Sequence, residues 1–334
     1  MTDNSTNRKT DHLALTFEAQ TGKDTVDGRF LYEPLLGNPA EAVLTTRFLD
    51  RKFNAPLWIS SMTGGTGKAK QININLAKAC KKYGLGMGLG SCRQLLDSDA
   101  HFEDFNVRKY IGDRPLYANL GIAQVEQLVK AGKTGKIKDL IDRLQADGLI
   151  IHINPLQEFF QPGGDNIHHR AIDIIKSLLE SLDIDIIVKE VGQGMGINSL
   201  LALMRLPLRA IEFGAYGGTN FSKLEMMRNK NKNIEWLAPL FRVGHTAAEM
   251  VDFVNLLIAQ GHDGILCDSF IISGGIKNFL DGYYLTEKIN STAVYGMASA
   301  FLKPAMNGFE DLDMFLASQI EGLKMAKAFL KIKN

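Results

Sequence analysis

Leu149-Ile150-Ile151-His152-Ile153-Asn154-Pro155-Leu156-Gln157-Glu158 is the stretch on which the reading of the whole chain turns. It begins as a short apolar run rich in β-branched residues, the mark of a buried strand. It ends in one imidazole, two amides and one carboxylate, gathered at 152–158. Before it, Ile137, Leu140, Ile141 and Leu144 keep the i, i+3, i+4, i+7 rhythm of an amphipathic helix. After it, Ala171, Ile175, Leu178 and Leu182 do the same. A buried strand between two such helices is the repeating unit of a parallel sheet covered by helices.

Working outward, the unit recurs along the chain. Strands are expected at 55–61, 85–90, 116–120, 149–154, 186–191, 210–214, 265–272 and 292–297. Thr246 followed by Glu249 fits a capping box opening a helix that carries Met250, Val254, Leu257 and Ile258. A closing helix is expected from Phe309. Eight βα units in 334 residues with 45% hydrophobic content predict one domain spanning 1–334, a (βα)₈ TIM barrel. Two stretches break the alternation, the arm at 1–54 and the stretch 216–244 with Gly217, Gly218 and the polar run Arg228 to Asn233. Both read as lids or linkers, and an insertion that long after a barrel strand reads as cover for an active site.

Composition excludes several classes of partner. With 38 basic against 37 acidic residues, no global field draws the protein to nucleic acid or to an anionic membrane. The polar opening Met1 to Asp11 lacks the apolar core of a signal peptide, and no run of about 18 apolar residues occurs, so a soluble cytoplasmic protein is expected. Cys80, Cys92 and Cys267 are scattered and odd in number, which suits free thiols in a reducing compartment.

The polar residues collect at the strands' C-terminal ends, where a barrel's active site sits. Ser60, Ser61, Met62 and Thr63 follow the first strand, and Ser91, Cys92 and Arg93 the second. Asn119 ends the third, His152, Asn154, Gln157 and Glu158 the fourth, and Lys189 and Glu190 the fifth. Gly217, Gly218 and Thr219 follow the sixth. Each residue alone could be a cap or a turn, but their joint register with eight strands points to one site. The turns Ser273-Gly274-Gly275-Ile276 and Gly296-Met297-Ala298-Ser299 follow strands seven and eight, where barrels bind phosphate on backbone N–H groups. Lys189 could supply charge to an anionic flavin ring or pair with Glu190. Glu158 could hold Mg²⁺, which needs only one or two carboxylates beside substrate phosphates. Trp58 and Met62 read either as a water-excluding wall or as core.

These motifs resemble the type 2 isopentenyl-diphosphate isomerases from residue 8 to about residue 305. The matching stretches are Arg8 to Leu13, Pro56 to Thr66, Gly90 to Arg93, Asn119 to Gly121, His152 to Glu158, Lys189 to Gly192, Gly217 to Thr219, Ser273 to Ile276 and Gly296 to Ala298. The resemblance implies an FMN that must be reduced, with NADPH or NADH as reductant, and a homotetramer or larger assembly. It implies that Arg8, Lys9, Ser91, Arg93, His152 and Asn154 bind the substrate diphosphate, that Gln157 sits by the allylic moiety, and that Glu158 holds Mg²⁺. For FMN it implies contacts from Ser61, Met62, Thr63, Ser91, Asn119, Lys189, Thr219, Gly274, Gly275, Ile276, Lys277, Ala298 and Ser299. Cys92 stands where the family usually has glutamine, Gly214 where serine is common, and Lys277 where arginine is usual; each removes or weakens a side-chain contact.

Moving a double bond along an allylic diphosphate requires proton addition at one carbon and removal at another. A reduced flavin, exchanging a proton at its nitrogen 5, suits that step, and Gln157 is expected to orient substrate before acting as acid or base. The rivals are less well served by these residues. A hydroxy-acid oxidase needs His and Arg late in the barrel, and a nucleotide dehydrogenase needs Cys after strand six. Gly214 to Asn220 holds no Cys, and Lys277 has no His beside it. A non-catalytic flavin-binding paralogue would leave Arg8, Lys9, His152 and Glu158 without a task.

Overall fold

The computed structural model describes residue 9, residues 11–229 and residues 232–333. Eight parallel strands close into a barrel in chain order: β1 (Leu57–Ile59), β2 (Gly86–Gly88), β3 (Leu116–Gly121), β4 (Gly148–Ile153), β5 (Asp185–Glu190), β6 (Ala210–Glu212), β7 (Ser269–Ser273) and β8 (Thr292–Met297). Each expected strand is present: β1, β2 and β6 are shorter than expected, β3 is one residue longer, β4 and β5 are shifted by one residue, and β8 matches. The largest trim is at β7, which starts at Ser269; Leu266 and Cys267 instead donate their N–H groups to the Met204 carbonyl, outside the barrel.

Helices fill the crossovers. The segments used below are α1 (Ala69–Tyr83), α2 (Ile122–Lys130), α3 (Gly135–Leu144), α4 (Pro155–Phe160), α5 (Ala171–Ser181), α6 (Phe221–Arg228), α7 (Ala247–Ala259), α8 (Ser299–Asn307) and α9 (Phe309–Phe329). In α3 the four periodic apolar residues are all buried, which is why the segment winds at 3.6 residues per turn against the sheet. The Thr246 capping box opens α7: Glu249 N–H donates to Thr246 Oγ1, and Thr246 N–H to Glu249 Oε2. On that helix Met250, Val254 and Leu257 are buried while Ile258 is exposed, because it lies beyond the buried face. The closing helix α9 runs on into Leu330–Ile332, which pairs antiparallel with Phe30–Tyr32 and ties the two ends of the chain together.

The arm at 1–54 is only in part what the sequence suggested. Its hairpin, Thr46–Phe48 and Arg51–Phe53, inserts Phe48 and Phe53 into the N-terminal end of the barrel. There they pack with Trp58, Tyr117, Ile150, Ile187, Ile271 and Val294 as a plug. Arg51 pairs with Asp147, and Arg209 with Asp50 and Asp185, around the rim. This part of the arm is a fixed floor, remote from the mouth. Trp58 belongs to that floor, fully buried beside Tyr117, and so does not wall the mouth as the sequence had allowed. Among the described residues no helix is long and apolar enough to cross a membrane. All three cysteines are free and buried.

The stretch 216–244 folds as α6 followed by the 3-10 segment Lys232–Arg242. It is tied down rather than loose. Gln193, after β5, donates to the carbonyls of Leu240 and Val243, and its own carbonyl side-chain oxygen accepts from Ser222. Asn229 donates to the Phe160 carbonyl, seating the insertion on α4. Its outer face carries Trp236, which is 84% exposed.

Candidate active site at the C-terminal mouth

Two groups of residues form at this end of the barrel, joined across β4 and β5. The first is a cleft with about 1050 Å³ of empty space, part of it open to solvent. Ser60, Ser61, Met62, Lys189, Thr219, Lys277, Ala298, Ser299 and both glycine turns line it. Gly274 and Gly275 have φ of 90° and 73°, a region where side chains are strained. A Cβ on Gly274 would stand 2.1 Å from the Ala215 carbonyl oxygen. The turn therefore shows bare backbone to the cleft, and the N-terminus of α8 at Ser299 opens beside it. Bare N–H groups next to a helix N-terminus make a cradle for phosphate. The hydroxyls of Ser60 and Ser61 are buried without a partner, as groups awaiting a ligand would be.

The second group surrounds the 152–158 motif. His152 Nδ1 lies 2.7 Å from Asn119 Oδ1, while Asn119 Nδ2 donates to the Leu89 carbonyl. That arrangement makes Nδ1 the protonated nitrogen and leaves Nε2 as an acceptor. Burial, helped by the Lys189 charge, pulls the His152 imidazole down to about 3, so it is neutral. A Cβ on Gly121 would come 2.5 Å from Gln124 Oε1 and 2.9 Å from Nε2, so bare backbone faces both side chains. Asn154 donates to Gln157 Oε1 at 3.3 Å and to Glu158 Oε1 at 3.0 Å. The Asp165 N–H donates to Glu158 Oε2 at 2.8 Å. Glu158 is thus buried and locked by one donor on each oxygen, with lone pairs left over.

Lys189 resolves an alternative that the sequence left open. Its Nζ donates to the main-chain oxygen of Glu190 at 2.8 Å, not to the carboxylate. That carboxylate turns away and accepts the N–H groups of Gly192, Gln193 and Gly194, with burial holding its pKa above the ordinary glutamate value. Lys189 pairs in register with His152 on the neighbouring strand, which joins the two groups.

Other sequence candidates fall into place or outside it. Arg93 is half-exposed and pairs with Asp165 at 2.8 Å. Ser91 is exposed one residue before Cys92, whose buried thiol is pushed up to about 12 by desolvation. Thr63 Oγ1 bonds to Asn73 Oδ1, so its side chain is already engaged. Lys9 is exposed and forms no ion pair among the described residues; Arg8 lies outside them. Ile276 is half-buried in the turn after β7. Sequence reasoning missed Asp165, whose carboxylate holds Arg93 and Gln124 while its N–H holds Glu158. The glycine-rich Gly163-Gly164-Asp165 turn behind the motif was the available signal. It also missed Glu212, a buried carboxylate lining the cleft from within an apolar strand.

A closed parallel barrel with its polar and glycine-rich ends converging on one mouth is the architecture of a barrel enzyme. No protein-family model matches the chain. Its shape is similar to flavocytochrome b2 with pyruvate bound (TM-score 0.61, 10% identity, 94% of this chain and 77% of that one). It is likewise similar to lactate oxidase from Pediococcus acidilactici (TM-score 0.58, 11% identity, 90% and 79%). At those identities the likeness is one of fold. In sequence it is 34% identical over 305 residues to the isopentenyl-diphosphate delta-isomerase of Rickettsia typhi, covering 89% of this chain and 85% of that one. It is 35% identical over 328 residues to the isopentenyl-diphosphate delta-isomerase of a Synechococcus species, covering 96% and 90%. The chain belongs to the isopentenyl-diphosphate delta-isomerase family, and its barrel agrees with the type 2 branch that its motifs resemble.

Proposed function

We propose that the protein interconverts isopentenyl diphosphate and dimethylallyl diphosphate, with reduced FMN in the glycine-turn cleft and Mg²⁺ on Glu158. The observation that carries this reading is the family match across 89% of the chain to a curated relative bearing that activity in its name. The cleft supports the flavin, since it is lined by the bare-backbone glycine turns, by the unpartnered Ser60 and Ser61 hydroxyls and by Lys189. When bound, reduced FMN supplies an electron-rich ring face and an exchangeable proton.

The chain's own residues do the rest. Gly274, Gly275 and the Ser299 helix end hold the cofactor phosphate, with Lys277 adding exposed charge. Lys189 offsets negative charge on the ring. Arg93 and His152 take the substrate diphosphate, and Arg8 and Lys9 close over it from the arm. His152 enters neutral, and an arriving diphosphate raises its affinity for a proton at Nε2, turning an acceptor into a donor to phosphate oxygen. Glu158, already oriented by Asn154 and Asp165, would hold Mg²⁺ through its remaining lone pairs, and the metal would supply positive charge against the substrate's phosphates. Gln157 orients the hydrocarbon part. The insertion seated on α4 keeps water from the reacting carbons.

A nicotinamide dinucleotide reductant, a homotetramer or larger assembly and a cytoplasmic location complete the proposal. The test is proton exchange in D₂O. With FMN, reductant, Mg²⁺ and isopentenyl diphosphate, deuterium enters substrate and dimethylallyl diphosphate accumulates, seen by NMR. Full turnover without flavin, or none with all components present, refutes it.

A further inference from the structure

The cleft floor holds a carboxylate that the proposed reaction does not use. Glu212 ends β6 with 1% of its surface exposed. Its Oε1 accepts the Ser273 hydroxyl at 3.0 Å, and Ser273 Oγ in turn accepts the Gly214 N–H at 3.0 Å. Its Oε2 is buried without a partner, yet the residue lines the cleft. A carboxylate oxygen withdrawn from water and left bare is strongly disfavoured unless a cation or a donor faces it. No ion pair reaches that oxygen among the described residues, but the sheet register points to a cation on the same face. Lys189 on β5 pairs with Glu212 on β6 in parallel, so both side chains leave the same face of the sheet. Both line the cleft, and Lys189 has spent one of its three donors on the Glu190 carbonyl.

We propose that Glu212 is a positioning residue that acts across the cleft as the counter-charge to Lys189, subtracting from the positive potential that a bound flavin experiences. The inference rests on the reading of the cleft as the FMN site. It predicts a sign. Lys189 favours the anionic reduced ring, so Lys189→Met makes the bound flavin harder to reduce. Glu212 opposes Lys189, so Glu212→Gln, nearly the same shape without the charge, makes it easier to reduce. A residue that only supports packing has no reason to move the potential in that direction.

The experiment is an anaerobic dye-equilibration titration of bound FMN in the wild type and both variants, preceded by FMN binding and thermal melting of each. The expected result is a positive shift in Glu212→Gln of at least tenfold in the reduction equilibrium, about 30 mV for a two-electron couple. Lys189→Met shifts the other way. Glu212→Asp, which keeps the charge one methylene further back, gives a smaller positive shift and carries the test if the glutamine variant does not fold. An unmoved or negative potential in the Glu212 variants overturns the inference while leaving the cleft assignment standing. Failure of the wild type to bind FMN removes the cleft assignment itself, and the inference with it.

Discussion

The phosphate cradle makes the sharpest demand on a single residue, Gly274, and Gly274→Ala should damage it through two costs that add. At φ of 90° an alanine meets the left-handed penalty, roughly 1–2 kcal/mol. The new methyl would also stand 2.1 Å from the Ala215 carbonyl oxygen and 2.3 Å from the Ala215 nitrogen, both main chain. Neither can rotate away, so the turn after β7 or the one after β6 must shift, and overpacking of that kind costs about 1–3 kcal/mol. The total is about 2–5 kcal/mol. If half of the lower figure falls on the bound geometry, FMN affinity drops about fivefold; if most of it does, the loss exceeds tenfold, since about 1.4 kcal/mol is one decade.

A control separates the two costs. Gly132 has φ of 64° and nothing within 4 Å of a built Cβ, so Gly132→Ala carries only the backbone penalty. FMN fluorescence quenching and thermal melts on both variants should show Gly132→Ala slightly destabilised with wild-type FMN affinity. Gly274→Ala should melt lower still and bind FMN at least about fivefold more weakly. Equal melting and equal FMN affinity in the two variants would refute the reasoning, since they would mean that the turn after β7 neither needs its bare backbone nor touches the cofactor.

Further outcomes follow from the other half of the mouth. Glu158→Gln puts an NH₂ opposite either Asn154 Nδ2 or the Asp165 N–H; Mg²⁺-dependent kcat/KM should fall about a hundredfold, close to 2.7 kcal/mol, with FMN content unchanged. Because the His152 imidazole lies near 3 when folded against an ordinary 6.5, the unfolded chain binds its proton first as pH falls. Urea midpoints should therefore decline between pH 6.5 and about 3, and His152→Gln should flatten that decline. Arg8→Ala with Lys9→Ala should raise the substrate KM at least about tenfold and leave FMN binding alone, because neither side chain is assigned to the cofactor.

How far the sequence could be read depended on whether a residue's task was local. The eight strands were legible because a strand between two crossover helices must be largely apolar, whatever its neighbours, and β8 even begins and ends where expected. The glycine turns were legible because bare backbone at a strand's end has few uses. The hairpin at 46–53 was not, because Phe48 and Phe53 become core only when the barrel closes above them. Trp58 was ambiguous for the same reason: alternation along a strand says that it points inward but not whether it lies in the lower layer or at the mouth. Glu212 was missed since one carboxylate in the apolar run 210–214 carries no periodic signal. Its partner Ser273 is 61 residues away, and its register partner Lys189 is on another strand.

The same distinction bears on how scaffold and chemistry are related here. Flavocytochrome b2 and lactate oxidase share this barrel at 10–11% identity, so the fold alone would fit oxidation of a hydroxy acid equally well. Several of the titratable groups at this mouth are already engaged by the protein itself. Glu190 is bound to three N–H groups, Glu158 accepts a donor on each oxygen, and Lys189 holds a carbonyl. His152 keeps a free nitrogen on β4, and Glu212 keeps an unpartnered oxygen in the cleft. What separates the two chemistries is therefore the family match to isopentenyl-diphosphate delta-isomerases over most of the chain, and the proposed diphosphate binding draws on the cations and oriented donors that the strand ends add to that shared barrel.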